Sequence, residues 1–146
     1  MTIKNDISAI GNALVDTVFK VEHSLITELG LEIDQMTLSS AEEHSPIIER
    51  LIASGAETVS DCGGSATNSL VAAASFGAKC FHTCKVSDDH DGIRYLESIK
   101  EAGIGHKGNM ANASSHPSGK CLILVTPDAK RTMTTALNVS SLMDED

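Results

Sequence analysis

Cys62-Gly-Gly-Ser-Ala-Thr-Asn-Ser-Leu-Val-Ala-Ala-Ala-Ser-Phe-Gly77 is the stretch on which the reading of the fold turns. Two glycines stand near its start. The run from Ala66 to Phe76 then carries no charge and closes at Gly77. Small uncharged side chains predict a helix lying close against a sheet. Lys79 to Val86 follows at once as a strand. Helix and strand signals in alternation imply an α/β layer structure.

Toward the amino terminus, Ile7 to Ile10 and Leu14 to Val21 are apolar runs broken at Gly11-Asn12, which predicts one strand that bends and continues. Gln35 to Ser39 is a weaker strand. Ser40 and Glu43 make a capping box, and Ile47, Ile48, Leu51 and Ile52 share one helical face before Gly55. Pro46 leaves two starts open for this helix: Ser40 as cap, or Pro46 as first residue with Ser45 as cap. Beyond the central strand, Asp88-Asp89 opens a helix whose Ile93, Leu96 and Ile99 are expected to face inward, and Gly103 ends it. Residues 105–118 read as a polar loop. Lys120 to Thr126, the turn Pro127-Asp128 and Arg131 to Thr135 read as a hairpin. Ser140-Ser141 would cap a further helix, with Asp144-Glu-Asp146 behind it; that ending reads equally as a cut chain or as a solvated acidic tail.

The 146 residues suit one domain or part of one. Hydrophobic residues at 41% and charged residues at 21% are globular values. A net charge of −9 argues against nucleic acid and anionic membranes as partners, since both reward a basic surface. No run approaches the ~20 apolar residues of a membrane helix. Residues Met1 to Asp6 lack the apolar centre of a signal peptide, so a cytoplasmic location is expected, with reduced cysteines. The sequons at Asn112 and Asn138 then carry no meaning. Cys62, Cys80, Cys84 and Cys121 form no C-x-x-C pair and are expected to be buried thiols, with no metal site. His82, in a strand, is expected in the core and the other histidines at the surface.

Gly103-Ile-Gly105-His-Lys-Gly108 fits the G-x-G-x-x-G pattern. That pattern serves a dinucleotide only between a strand and a helix, and here it follows a helix. Gly63-Gly64-Ser65-Ala66-Thr67-Asn68 has the better context. Its glycines admit close approach, the helix start offers unpaired N–H groups, and Asn68 carries both donor and acceptor. Such a turn suits polyol hydroxyls; a tight turn with no ligand stands beside that reading. Asp16, inside an apolar strand, either caps a local N–H or accepts hydroxyls from a sugar diol.

Gly11-Asn12-Ala-Leu-Val-Asp16, Cys62-Gly63-Gly64-Ser65-Ala66-Thr67-Asn68-Ser69, Ser118-Gly119-Lys-Cys121 and Asp128-Ala-Lys-Arg131 together resemble the amino-terminal half of the ribokinase (PfkB) family of sugar and nucleoside kinases. They are most similar to its adenosine-kinase-like branch. Two positions depart from the family pattern: Ser87 replaces an expected glycine, and Leu70 stands where a small residue is usual. The resemblance spans essentially the whole chain. It implies a partial ribokinase-like, Rossmann-like α/β sheet flanked by helices, with a small β lid from strands near residues 17–40 and 119–135. It implies that Asp16, Gly63, Gly64 and Asn68 hold the hydroxyls of a small-molecule sugar or nucleoside, with Cys121 near the base or sugar. Arg131 would meet the transferred phosphate when the lid closes.

ATP and Mg2+ are the implied cofactors. The family's catalytic aspartate, its glycine-rich anion hole, its N-x-x-E motif and most of its ATP site belong to the second half, and these motifs do not occur in the chain. No catalytic residue is therefore expected here. The implied function is ATP-dependent phosphorylation of a sugar or nucleoside hydroxyl, with this chain as the substrate-binding half, inactive by itself. The alternative is a non-catalytic binding or assembly module. A cut sheet edge or the lid would favour association of copies.

Overall fold

The break at Gly11-Asn12 separates two sheets. In the computed structural model, which describes residues 5–112 and 115–143, β1 (Ile7–Ile10) and β2 (Leu14–Lys20) pair with different partners. The expectation of one bent strand is thus corrected: the chain leaves one sheet at the glycine and enters another. Expectations placed on residues 1–4, 113–114 and 144–146 lie outside the described residues.

After β2 come α1 (His23–Glu28), β3 (Met36–Leu38), α2 (Ala41–Ala53), β4 (Thr58–Gly63), α3 (Ser65–Ser75), β5 (Cys80–Ser87), α4 (His90–Glu101), β6 (Gly105–Ala111), β7 (Gly119–Val125) and β8 (Arg131–Ala136). A 3-10 turn spans Asn138–Ser141, and the further helix expected beyond Ser140-Ser141 runs into residues outside those described. One sheet is parallel, in the order β1-β5-β6. The other is mixed, in the order β3-β8-β7-β2-β4. This is an α/β fold with helices flanking its sheets. On the parallel sheet, Leu70 of α3 and Tyr95 and Ile99 of α4 pack with Cys80, Cys84 and Val86 of β5. On the mixed sheet, Leu25 and Ile26 of α1 and Leu51 of α2 pack with Phe19, Leu122 and Leu124. Strand β2 serves both cores, with Ala13 just before it and Val15 in the first, and Phe19 in the second.

The capping box decides where α2 begins. The Ser40 hydroxyl accepts from the Glu43 N–H at 3.2 Å, and the Glu43 carboxylate accepts from the Ser40 N–H at 2.7 Å. Pro46 lies inside the helix and forgoes one backbone donor in its second turn. Helix α4 is capped by the Asp89 carboxylate, which accepts from the Gly92 N–H at 2.8 Å. Its inward face runs through Gly92, Tyr95 and Ile99. Ile93, expected inside, is 46% exposed, because the helix is rotated to bury Tyr95.

Residues 105–111, read as loop, form β6, which pairs with β5 from Phe81↔Gly105 to Ser87↔Ala111. The polar sequence hid this edge strand, whose order comes from the backbone ladder. The G-x-G-x-x-G pattern therefore runs from the end of α4 into a strand, the reverse of a phosphate-binding turn. All four thiols are free; Cys80, Cys84 and Cys121 are buried and Cys62 is half-buried. His82 is fully buried, as its strand position predicted. His44, expected at the surface, is also buried: its Nε2 lies 3.2 Å from the Thr134 hydroxyl.

Burial holds both His44 and His82 below the ordinary histidine value of 6.5. The unfolded chain takes up these protons near that pH and the folded chain resists them, so stability is complete above it and falls as pH drops. Thermal unfolding followed by circular dichroism is expected to give a lower Tm at about pH 5.5 than at about pH 7.5. A Tm at about pH 5.5 equal to or above that at about pH 7.5 contradicts the burial of these rings.

Candidate functional site

Strand pairing sorts the side chains of the mixed sheet onto two faces, because registered partners project to the same side. Thr17, Leu122 and Thr134 form one row. That row faces the helices, since Leu122 packs in the second core and Thr134 reaches His44 of α2. Asp16, Cys121 and Thr135 form the next row and so lie on the opposite face. Val18, Ile123 and Met133 share that face. Met36, Leu38 and Val59, registered with its rows, are exposed at 55%, 62% and 70%.

Asp16 is half-buried, and its carboxylate lies over the bare Cα of Gly63. A Cβ at Gly63 would overlap the carboxyl carbon and both oxygens. The missing side chain of Gly63 is therefore the space that Asp16 fills. The carboxylate accepts no hydrogen bond from a described residue. Burial pushes its pKa up, the nearby Arg131 guanidinium draws it down, and Asp61, directly across on β4, adds a further upward push.

Gly64 caps α3 with φ at +99°, a conformation that favours glycine, and a Cβ there would stand 2.5 Å from the Asn12 carbonyl oxygen. The Gly64 carbonyl accepts from the Asn68 N–H at 2.9 Å. The Asn68 side chain is exposed on the first turn of α3, with no hydrogen bond to a described residue. The Cys121 Sγ is buried and accepts from the Thr135 hydroxyl at 3.2 Å; burial raises its pKa. Arg131 is exposed at the start of β8, and its charge is felt at both Asp16 and Cys121.

The structure thus gathers Asp16, Gly63 and Cys121 at one place, with Arg131 in electrostatic reach. Gly64 and Asn68 join them through the cap of α3. Three contributors were missed in the sequence. Thr135 holds the Cys121 thiol. The Asn12 carbonyl crowds Gly64. Gly119 brings β7 against β2, since a Cβ there would stand 2.6 Å from the Ala13 carbonyl. Asn12 and Gly119 stand in quoted motifs and could have been singled out; Thr135 carries no local signal. Chemically, an undonated carboxylate beside bare backbone and an open amide can accept and donate to vicinal hydroxyls.

A model of the pfkB family carbohydrate kinases matches residues 31–146. Comparison with curated proteins finds no match. Among solved structures, an adenosine kinase from Sinorhizobium meliloti is 30% identical and superposes with a TM-score of 0.79, over 96% of this chain and 41% of its own. A probable sugar kinase from Rhizobium etli is 25% identical, with a TM-score of 0.80 over 95% of this chain and 41% of its own. The apo adenosine kinase of Trypanosoma brucei brucei, at 19% identity, is similar in fold alone, with a TM-score of 0.82 over 99% and 44% of the two chains. The chain spans about two fifths of the length of these kinases.

The contact between Gly63 and Asp16 can be isolated by a double-mutant cycle. Gly63→Ala is expected to cost about 1–3 kcal/mol in urea unfolding, as overpacking does. In an Asp16→Ala background most of that cost should vanish, because the overlapping atoms are gone. Equal costs in the two backgrounds would show that the carboxylate does not fill the space above Gly63.

Proposed function

The chain belongs to the pfkB family of carbohydrate kinases, and on that premise we propose that the open face of its mixed sheet binds the hydroxyls of a nucleoside, on the substrate side of an ATP-dependent phosphotransferase. The observation that carries this reading is Asp16: half-buried, with no hydrogen-bond donor among the described residues and a pKa raised first by burial. A carboxylate so placed is costly until a ligand donates to it. Two hydroxyls of a ribose supply what it lacks. Gly63 leaves the room in which the carboxylate stands, Gly64 lets α3 start against Asn12, and Asn68 offers its amide from the first turn of α3.

A nucleoside is favoured over a simple sugar by the apolar side chains around the carboxylate. Met36, Leu38 and Met133 share its face, and Cys121 sits beside it. These suit the flat face of a base better than further hydroxyls. A simple sugar is the second reading, supported by the likeness to the Rhizobium etli protein. β3, β7 and β8 would act as the lid that excludes water, and Arg131 would bring a guanidinium to the phosphate as it transfers. ATP would supply that phosphoryl group. The family implies Mg2+ as well. Among the described residues no group of three or more His, Cys, Asp or Glu fits such an ion, so no step is assigned to it. We assign the base and most of the nucleotide site to the part of the kinases that this chain does not span.

Calorimetric titration with adenosine and with ribose tests the reading. Asp16→Asn keeps the shape and removes the charge, so adenosine affinity should fall about ten- to a hundredfold. The Tm should hold or rise, because the lost charge had no donor. Parent-like binding by Asp16→Asn, against clear binding by the parent, would sink the diol reading. The isolated chain is also expected to release no ADP above background with adenosine and ATP. Substrate-dependent release would overturn the division of roles.

A further inference from the structure

We propose that Tyr95, together with His82 and Thr67, is a positioning residue that holds the glycine turn at the start of α3 in its ligand-ready form; this rests on the substrate-binding reading above. The first core is lined by Leu70, Val86, Ile99 and cysteines, yet three polar side chains cross it. The Thr67 hydroxyl lies 2.5 Å from the Tyr95 hydroxyl, which lies 3.2 Å from the His82 Nδ1. Their relative exposures are 0%, 1% and 0%. They come from α3, α4 and β5, so one chain of hydrogen bonds ties three elements together.

Both ends of this chain lie under the candidate site. Thr67 is the third residue of α3, and a Cβ built on Gly64 would stand 3.5 Å from its hydroxyl. At the other end, the His82 Nε2 is 3.9 Å from where a Cβ of Gly11 would stand, and it is buried with no hydrogen-bond partner among the described residues. Gly11 in turn packs so tightly on the helix that its Cβ would lie 2.6 Å from that of Ala66. The network therefore spans from the Gly64 turn to the Gly11-Asn12 crossing, the two backbone segments that meet where the Asn12 carbonyl crowds Gly64.

Burial keeps the imidazole neutral by lowering its pKa and keeps the phenol protonated by raising its own. The neutral ring shares a hydrogen bond at Nδ1 with the tyrosine hydroxyl, which shares another with the Thr67 hydroxyl. Apolar side chains of the same volume would fill this core with less desolvation. What they would lose is direction. Hydrogen bonds fix the rotation of the first turn of α3, and with it the Gly64 carbonyl and the Asn68 amide.

The test uses the 146-residue chain, Tyr95→Phe and the double variant Thr67→Val/Tyr95→Phe. Amide hydrogen exchange at Asn68 is read against amides of β7, alongside calorimetric titration with adenosine. In Tyr95→Phe the Asn68 amide should exchange about tenfold faster while β7 amides keep their protection, and adenosine affinity should fall about fivefold or more. In the double variant, which leaves no unpaired threonine hydroxyl, Tm should recover while exchange stays fast and binding stays weak. Exchange at Asn68 that tracks β7, or recovery of exchange and binding together with Tm, means the network only stabilises the core and overturns the proposal. Should Tyr95→Phe fail to fold, Thr67→Val cuts the chain from its helix end and Thr67→Ser should keep parent values. If the parent binds neither adenosine nor ribose, the substrate reading fails, and the exchange measurement still decides whether the network holds the turn.

Discussion

At Gly64 the backbone comes so near the Asn12 carbonyl that a Cβ would stand 2.5 Å from its oxygen, and at Gly119 the same holds at 2.6 Å for the Ala13 carbonyl. These two approaches bring three segments together where the chain passes between its sheets. The other features depend on that closeness. β7 can lie in register with β2 because Gly119 clears Ala13. α3 can start directly after β4 because Gly64 takes a positive φ and leaves room for Asn12. Asp16 can stand over Gly63 because a third side chain is missing there. A methyl group at any of these positions would push apart elements that later contacts assume to be joined.

The readable and unreadable parts of the sequence divide along the range of the interactions. The capping box at Ser40 and the hairpin of β7 and β8 depend on residues close in sequence, and their signals were legible; on α2 Leu51 is buried as expected, but Ile52 is 67% exposed. The rotation of α4 was less so: Ile93 looked like a core residue until Tyr95 claimed the inward face, drawn by partners on α3 and β5. Strand β6 carries glycine, histidine and lysine, and its ladder with β5, together with packing against α4, orders it. His44 reads as one more polar position on a helix, and its partner Thr134 lies on a strand far along the chain.

The site shows the same division. Asp16, Gly63, Gly64, Asn68, Cys121 and Arg131 could be picked out because they stand in motifs resembling those of a known family. Composition and periodicity alone left the glycine turn and Asp16 with a structural reading of equal standing. No local pattern places Asp16 beside Cys121, since the register of β2 against β7 is fixed by tertiary contacts. Thr135, which holds the Cys121 thiol, belongs to the same row and was unreadable for the same reason.

The position of β2 between β4 and β7 also sets the order in which the molecule can assemble. Its antiparallel pairing with β4 closes a modest loop. Its parallel pairing with β7 must wait until residues 119–125 have been synthesised, and such distant pairings form slowly because chain entropy is lost before any contact compensates. Until then Asp16 faces an open strand edge on one side, with neither the thiol of Cys121 nor the charge of Arg131 beside it. The row that Asp16 shares with Cys121 and Thr135 is completed late, so on a ribosome the backbone that carries the acid emerges long before the strands that flank it.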